Sequence, residues 1–241
     1  MDIVELIRGF GIEGARYIEE HIDPQFQALL HLYENTKDKE RFAPLVIANA
    51  LVSYQLSGRG EDWWWEFARY FSENLVADFA GAYKVFLPQS RTNRRLVDVK
   101  VRRLRRAEAF LQNMRPEEYY GNMIALQTDL ARILGTKKNA KTIVFAVKMF
   151  GYAMRIATGE FRPYPMEIPI PVDSRIRKLT ERLDKDNPAR FWQDVAEQTG
   201  VPPLHIDSIL WPALSGDPDV QDKIRRTFGN IGDELILFLS P

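Results

Sequence analysis

The chain has 241 residues, 45% of them apolar and 27% charged, the balance of a folded globular protein and not of a disordered one. Lys plus Arg and Asp plus Glu each number 33, so bulk charge does not hold the protein on nucleic acid, although a local basic patch still can. Cysteine is absent, which excludes disulfides, zinc–thiolate sites, iron–sulfur clusters and thiol catalysis; His21, His31 and His205 show no ligand spacing, so neither a metal nor a cofactor is expected.

The opening residues, MDIVELIRGFGIEG, carry early acids and no secretory pattern, which predicts a cytoplasmic protein. No run reaches the ~18 uninterrupted apolar residues of a membrane span. Asp23-Pro24 reads as a cap followed by proline at the first helical position, opening a helix through Gln27, Leu29, Leu30 and Tyr33. Residues 44–56 predict another helix, and 62–80 an aromatic one with Trp64, Phe67, Phe71 and Leu75 on one stripe. Phe86 falls in a loop ahead of a helix over 94–113, and a helix over 116–134 ends at Gly135, a C-cap. The next helix runs from about 139 to 158 and stops at Gly159. Pro163, Pro165, Pro169 and Pro171 force the following segment to be extended. Asp173 then heads an amphipathic stretch over 174–183, and Asn187-Pro188, Pro202-Pro203 and Asp217 open further helices. The reading is all-α with roughly ten to twelve helices. It contains no internal repeat and no low-complexity tract.

Three stretches offer chemistry. The run Gly135-Thr136-Lys137-Lys138-Asn139-Ala140-Lys141 is a basic turn leading into a helix, whose free N–H groups and positive dipole end suit a DNA phosphate. An ordinary helix hairpin with solvated lysines reads the same way. Lys141, Phe145, Lys148 and Tyr152 are spaced to share one face of that helix, mixing amines with aromatics. Lysine stems lying along aromatic rings are the plain alternative. The Pro-rich run Glu167 to Asp173 delivers one carboxylate to a helix start, either as an ordinary N-cap or as a reacting group. The stretch from Lys141 to Asp173 is long enough for one helix and a returning loop, so the two can meet. Finally, Arg91, Arg94, Arg95, Lys100, Arg102, Arg103, Arg105 and Arg106 face only Asp98 as a counter-charge. That segment is either a solvated charged helix or a set of backbone contacts to DNA.

The lysine-bearing hairpin, the Pro-rich loop and Val172-Asp173 together resemble the helix-hairpin-helix, loop and aspartate signature of base-excision DNA glycosylases. Within that superfamily the chain is most similar to the archaeal 8-oxoguanine DNA glycosylases, the AGOG family. The likeness is carried by Asp23-Pro24-Gln25, the turn 57–61 into the tryptophans, Ala140-Lys141-Thr142, residues 168–173 and the run 200–207. Two features depart from the wider superfamily: the hairpin turn has only Gly135 in place of a Gly-x-Gly, and the cysteine cluster of the endonuclease III relatives is missing.

The resemblance implies a single two-lobed domain over 1–241 with its active site in the cleft between lobes, a helix-hairpin-helix at about 118–158 and a Pro-rich loop over 159–173. It implies a glycosylase that is also an AP lyase, with Lys141 attacking the sugar C1′ to form a Schiff base and Asp173 as its carboxylate partner. By the same likeness Gln25, Phe145, Lys148, Asp207 and Trp211 match base-pocket positions, with Trp64 a stacking partner that is equally well a core residue. Arg91, Arg94, Gly135 and Lys137 are expected to contact the DNA backbone and Phe86 to act as a wedge. The partner implied is 8-oxoguanine-containing DNA, double- or single-stranded, bound by a monomer without metal or membrane. A glycosylase for another oxidised base, or a helix-hairpin-helix module that binds without catalysis, stays open at this point.

Overall fold

A computed structural model describes residues 2–183 and 185–240. Among the described residues every regular element is a helix. In chain order they are α1 (Ile3–His21), α2 (Pro24–Asn35), α3 (Phe42–Val52), α4 (Gly60–Glu73), α5 (Phe79–Gln89), α6 (Val97–Asn113) and α7 (Pro116–Gly121). Then follow α8 (Met123–Leu134), α9 (Lys141–Thr158), α10 (Ser174–Arg182), α11 (Pro188–Thr199), α12 (Pro203–Ala213), α13 (Pro218–Phe228) and α14 (Asn230–Leu239). The all-α expectation is met. None of these helices is long and apolar enough to cross a membrane. The chain divides into two compact units, Met1–Gln27 with Pro163–Pro241, and Ala28–Arg162.

The unit over Ala28–Arg162 is built around α3. Its sequence, FAPLVIANALV, has no polar face, and a helix apolar all round is stable only when enclosed. It is enclosed: every residue from Phe42 to Val52 is buried, with α9 and α6 packed against it. The one polar side chain in that run, Asn49, accepts the Tyr83 hydroxyl hydrogen bond at 3.0 Å on Oδ1. Helices α5 and α6 pair, and α7 and α8 lie on α9. α9 ends at Gly159, whose φ of 70° is the left-handed conformation that a C-cap glycine supplies without strain.

The other unit packs α1 on α12, α11 and α14, with α13 against α14. A capping box opens α1: Asp2 Oδ1 accepts the Glu5 N–H at 2.8 Å while the Glu5 carboxylate takes the Asp2 N–H at 3.3 Å. Gly11, at φ 60°, kinks the helix so that Leu6, Ile7, Phe10, Ala15 and Ile18 all reach one core. Trp192 of α11 is fully buried and its indole N–H donates to Thr180 Oγ1 of α10 at 3.0 Å, which satisfies the one polar group that ring carries.

Several boundaries differ from the sequence reading, each for a local reason. The aromatic helix expected over 62–80 stops at Glu73, and α5 starts afresh where Asp78 caps it by accepting the Gly81 N–H at 2.5 Å. Leu75, assigned to the buried stripe, is therefore 71% exposed. Phe86 is not in a loop but inside α5. The helix expected from 94 begins at Val97, because Leu96 takes a left-handed backbone at φ 55°. The helix expected over 116–134 is two, divided where Asn122 turns the chain and caps α8 through the Ala125 N–H at 3.1 Å.

Candidate active site

In the unit over Ala28–Arg162 the hairpin forms as the glycine predicts. Gly135, at φ 62°, closes α8; its N–H reaches the Arg132 carbonyl at 3.2 Å and that of Thr136 reaches the Ala131 carbonyl at 2.9 Å. Gly135, Thr136, Lys137, Lys138 and Asn139 are exposed. The residue that caps α9 is Ala140, and no side chain caps the helix. First-turn N–H groups without such a cap are open to an anion. Lys141 is the first residue of α9 and is exposed. Thr142, next to it, accepts a hydrogen bond on Oγ1 from Arg103 Nη2 at 2.7 Å, a link from α6 that the sequence did not signal.

Farther along the same face of α9, Phe145 is half-buried and Lys148 is only 1% exposed. The Lys148 ammonium lies 5.6 Å from the centre of the Tyr152 ring, a cation–π contact that eases burial of a charge. Trp64 meets Phe145 edge to face with centroids 6.0 Å apart, and is itself buried. Its neighbours are engaged elsewhere: Trp63 donates its indole N–H to Ser53 Oγ at 2.8 Å, and Trp65 lies beside His31 and under the Arg69 guanidinium. Trp64 is thus both a core residue and the backing of Phe145.

In the other unit, Asp173 does two things at once. Its Oδ1 accepts the backbone N–H groups of Arg175 and Ile176, each at 2.9 Å, and so caps α10. Its Oδ2 accepts the indole N–H of Trp211 at 3.2 Å. The cap is real, and it fixes the carboxylate so that its second oxygen points at α12. The Arg175 guanidinium covers the Trp211 ring at 4.6 Å. Asp207, one turn before Trp211, is buried. Gln25 follows α1 closely; its N–H donates to Asp23 Oδ1 at 2.9 Å, the side chain is 2% exposed, and its Oε1 has no hydrogen-bond partner. A buried carbonyl oxygen left unpaired costs stability.

The basic segment splits into two roles. Arg91, Arg94 and Arg95 are exposed on a loop clamped by Glu66, whose carboxylate accepts from Ser90 Oγ at 2.6 Å, Arg91 N at 2.7 Å and Thr92 Oγ1 at 2.5 Å. Although burial opposes ionisation, these hydrogen bonds hold the Glu66 pKa below its usual value. Lys100, in contrast, turns inward, is fully buried and donates to Asn93 Oδ1; burial, with Arg95 adding to it, brings its ammonium down to about 8. At that position the charged helix is not solvated. Phe86, the expected wedge, is 2% exposed and stacks on Tyr70 and Trp63 at centroid distances of 4.4 and 5.3 Å, so it presents no free ring edge. Among the described residues no group of three or more His, Asp or Glu side chains is arranged to hold a metal ion.

A family model described as AGOG, N-glycosylase/DNA lyase, matches residues 4–235. An N-glycosylase/DNA lyase from Thermococcus kodakarensis is 56% identical over 229 residues, covering 93% of this chain and 87% of that protein. One of the same description from Methanopyrus kandleri is 47% identical over 238 residues and covers 98% of each. Among solved structures, the 8-oxoguanosine complex of Pa-AGOG, an 8-oxoguanine DNA glycosylase from Pyrobaculum aerophilum, superposes with a TM-score of 0.82 at 29% identity, covering 98% of this chain and 93% of that one.

Proposed function

This chain belongs to the AGOG N-glycosylase/DNA lyase family, and on that footing we propose that it excises 8-oxoguanine from DNA and then cuts the strand, with Lys141 as nucleophile and Asp173 as its carboxylate partner. The observation that carries the reading is the divided use of Asp173, one oxygen fixed by two backbone N–H groups and the other held by the Trp211 indole N–H. A carboxylate held that way needs no reorganisation as positive charge develops beside it.

In the reaction the damaged nucleotide leaves the base stack, at a cost of a few kcal/mol. The Lys141 amine attacks the sugar C1′, the bond from C1′ to the base nitrogen breaks, and the base departs with a proton. The lysine nitrogen loses its own protons as the sugar ring opens to the Schiff base. Removal of a C2′ proton then expels the 3′ phosphate and cleaves the strand. Asp173 stabilises the cationic sugar and accepts the lysine proton.

Base choice is supported by Gln25. 8-Oxoguanine carries a hydrogen on N7 that guanine lacks, and an unpaired buried Oε1 is the acceptor that would read it. Phe145, backed by Trp64, and Lys148 in one unit, and Asp207 and Trp211 in the other, are the further side chains proposed to contact the base. Arg91, Arg94, Lys137 and the Gly135 turn contact the phosphate backbone. The protein acts as a monomer, on duplex or single-stranded DNA, and uses no metal.

Incubation with duplexes carrying 8-oxoguanine or thymine glycol tests the assignment. Strong preference for 8-oxoguanine with strand cleavage is expected; equal excision of both lesions would overturn the pocket, and no excision of either would favour a binding module without catalysis.

A further inference from the structure

The base-reading and catalytic side chains of the unit Met1–Gln27 with Pro163–Pro241 stand on three separate stretches of chain. Gln25 follows the end of α1, Asp173 closes the Pro-rich segment, and Asp207 and Trp211 ride on α12. One imidazole touches all three. His205 of α12 is 0% exposed, and so is Glu19 in the last turns of α1. His205 Nδ1 lies 2.8 Å from Glu19 Oε1, and His205 Nε2 accepts the backbone N–H of Tyr164 at 3.3 Å.

The tautomer follows from the partners. A backbone N–H only donates, so Nε2 presents its lone pair, and the proton of the neutral ring sits on Nδ1 and is given to the Glu19 carboxylate. Tyr164 lies between Pro163 and Pro165, which have no N–H, so its amide is the single backbone donor in that tripeptide. The residue is buried, and the Tyr164 ring packs on the imidazole with centroids 4.8 Å apart. A buried backbone N–H demands an acceptor, and His205 provides it at the point where the segment leading to Asp173 begins.

We propose that His205, oriented by Glu19, is a positioning residue that ties the Pro-rich segment to α12 and α1 and thereby sets Asp173 against the reacting sugar. The inference rests on the glycosylase reading above. It predicts a role that stability alone does not explain, because the ring bridges the elements carrying the site and touches no reacting atom.

Two substitutions separate the hydrogen bond to Tyr164 from that to Glu19. The amide of glutamine reaches the position of Nε2 and retains an acceptor for the Tyr164 N–H, whereas that of asparagine reaches only the position of Nδ1 and retains the donor to Glu19. Single-turnover excision of 8-oxoguanine, affinity for the same duplex and thermal stability are measured for wild type, His205→Gln and His205→Asn, and for each in an Asp173→Asn background. The glutamine variant is expected to excise at close to the wild-type rate, and the asparagine variant to lose about tenfold to a hundredfold with little change in DNA affinity, as for a misplacement of about an ångström. In the Asp173→Asn background that loss should largely vanish, since the effect acts through Asp173. Equal losses in both variants that track their melting temperatures, or full additivity with Asp173→Asn, would overturn the proposal. Failure of the wild type to excise 8-oxoguanine would instead sink the functional reading.

Discussion

Two helix starts carry the two groups assigned to the chemistry, and they are built in opposite ways. At the start of α10, Asp173 accepts two first-turn N–H groups and puts a negative charge at the positive end of the helix dipole, so the carboxylate proposed for the reaction also stabilises the fold. At the start of α9, the capping position is Ala140, and Lys137, Lys138 and Lys141 gather at an end that is already positive. Each of those choices works against the helix. On the proposed reading, a carboxylate that works by its charge also serves as a cap, whereas a turn that is to hold a phosphate leaves its first N–H groups uncapped.

The largest break of that symmetry comes from Asp173. Asp173→Ala removes cap and charge together, and excision should fall by about a hundredfold to a thousandfold. Stability should fall with it, by about 1 kcal/mol in denaturant titrations. Asp173→Asn keeps an oxygen for the cap, so its excision should drop comparably while its stability stays near wild type. An asparagine variant as active as wild type would show that the charge plays no part.

A smaller effect comes from supplying the missing cap. Ala140→Asp should stabilise α9 by about 1 kcal/mol, while placing a carboxylate where a phosphate is expected. Its affinity for duplex DNA, followed by fluorescence anisotropy at fixed salt, should weaken. Unchanged affinity alongside raised stability would mean that the hairpin does not hold the backbone.

The same contrast explains what could be read from the chain itself. Asp23-Pro24, Asn187-Pro188 and the glycines at 135, 159 and 200 mark real helix ends because capping chemistry is local. The spacing of Lys141, Phe145 and Lys148 is legible for the same reason, since one helix fixes it. The interruption between α4 and α5 was not: Leu75 continues the apolar period of α4, and only the Asp78 cap and the Glu108 carboxylate, which accepts from the N–H groups of Phe79 and Ala80, fix the new start. Phe86 read as a loop residue because that start was missed. The contact of Asp173 with Trp211, that of Arg103 with Thr142 and the Glu19–His205–Tyr164 chain join residues distant in sequence, and no periodicity carries such information. The roles of Lys141 and Asp173 came from family likeness, whereas the double use of Asp173 came from the structure.

The central claim is that the Lys141 amine bonds to the sugar. Borohydride reduction during reaction with an 8-oxoguanine duplex, followed by peptide mapping of the cross-linked protein, tests it directly. The account predicts a covalent adduct in the wild type on the peptide holding Lys141, and none in Lys141→Gln. An adduct that persists in that variant, or that maps to Lys148, would contradict it.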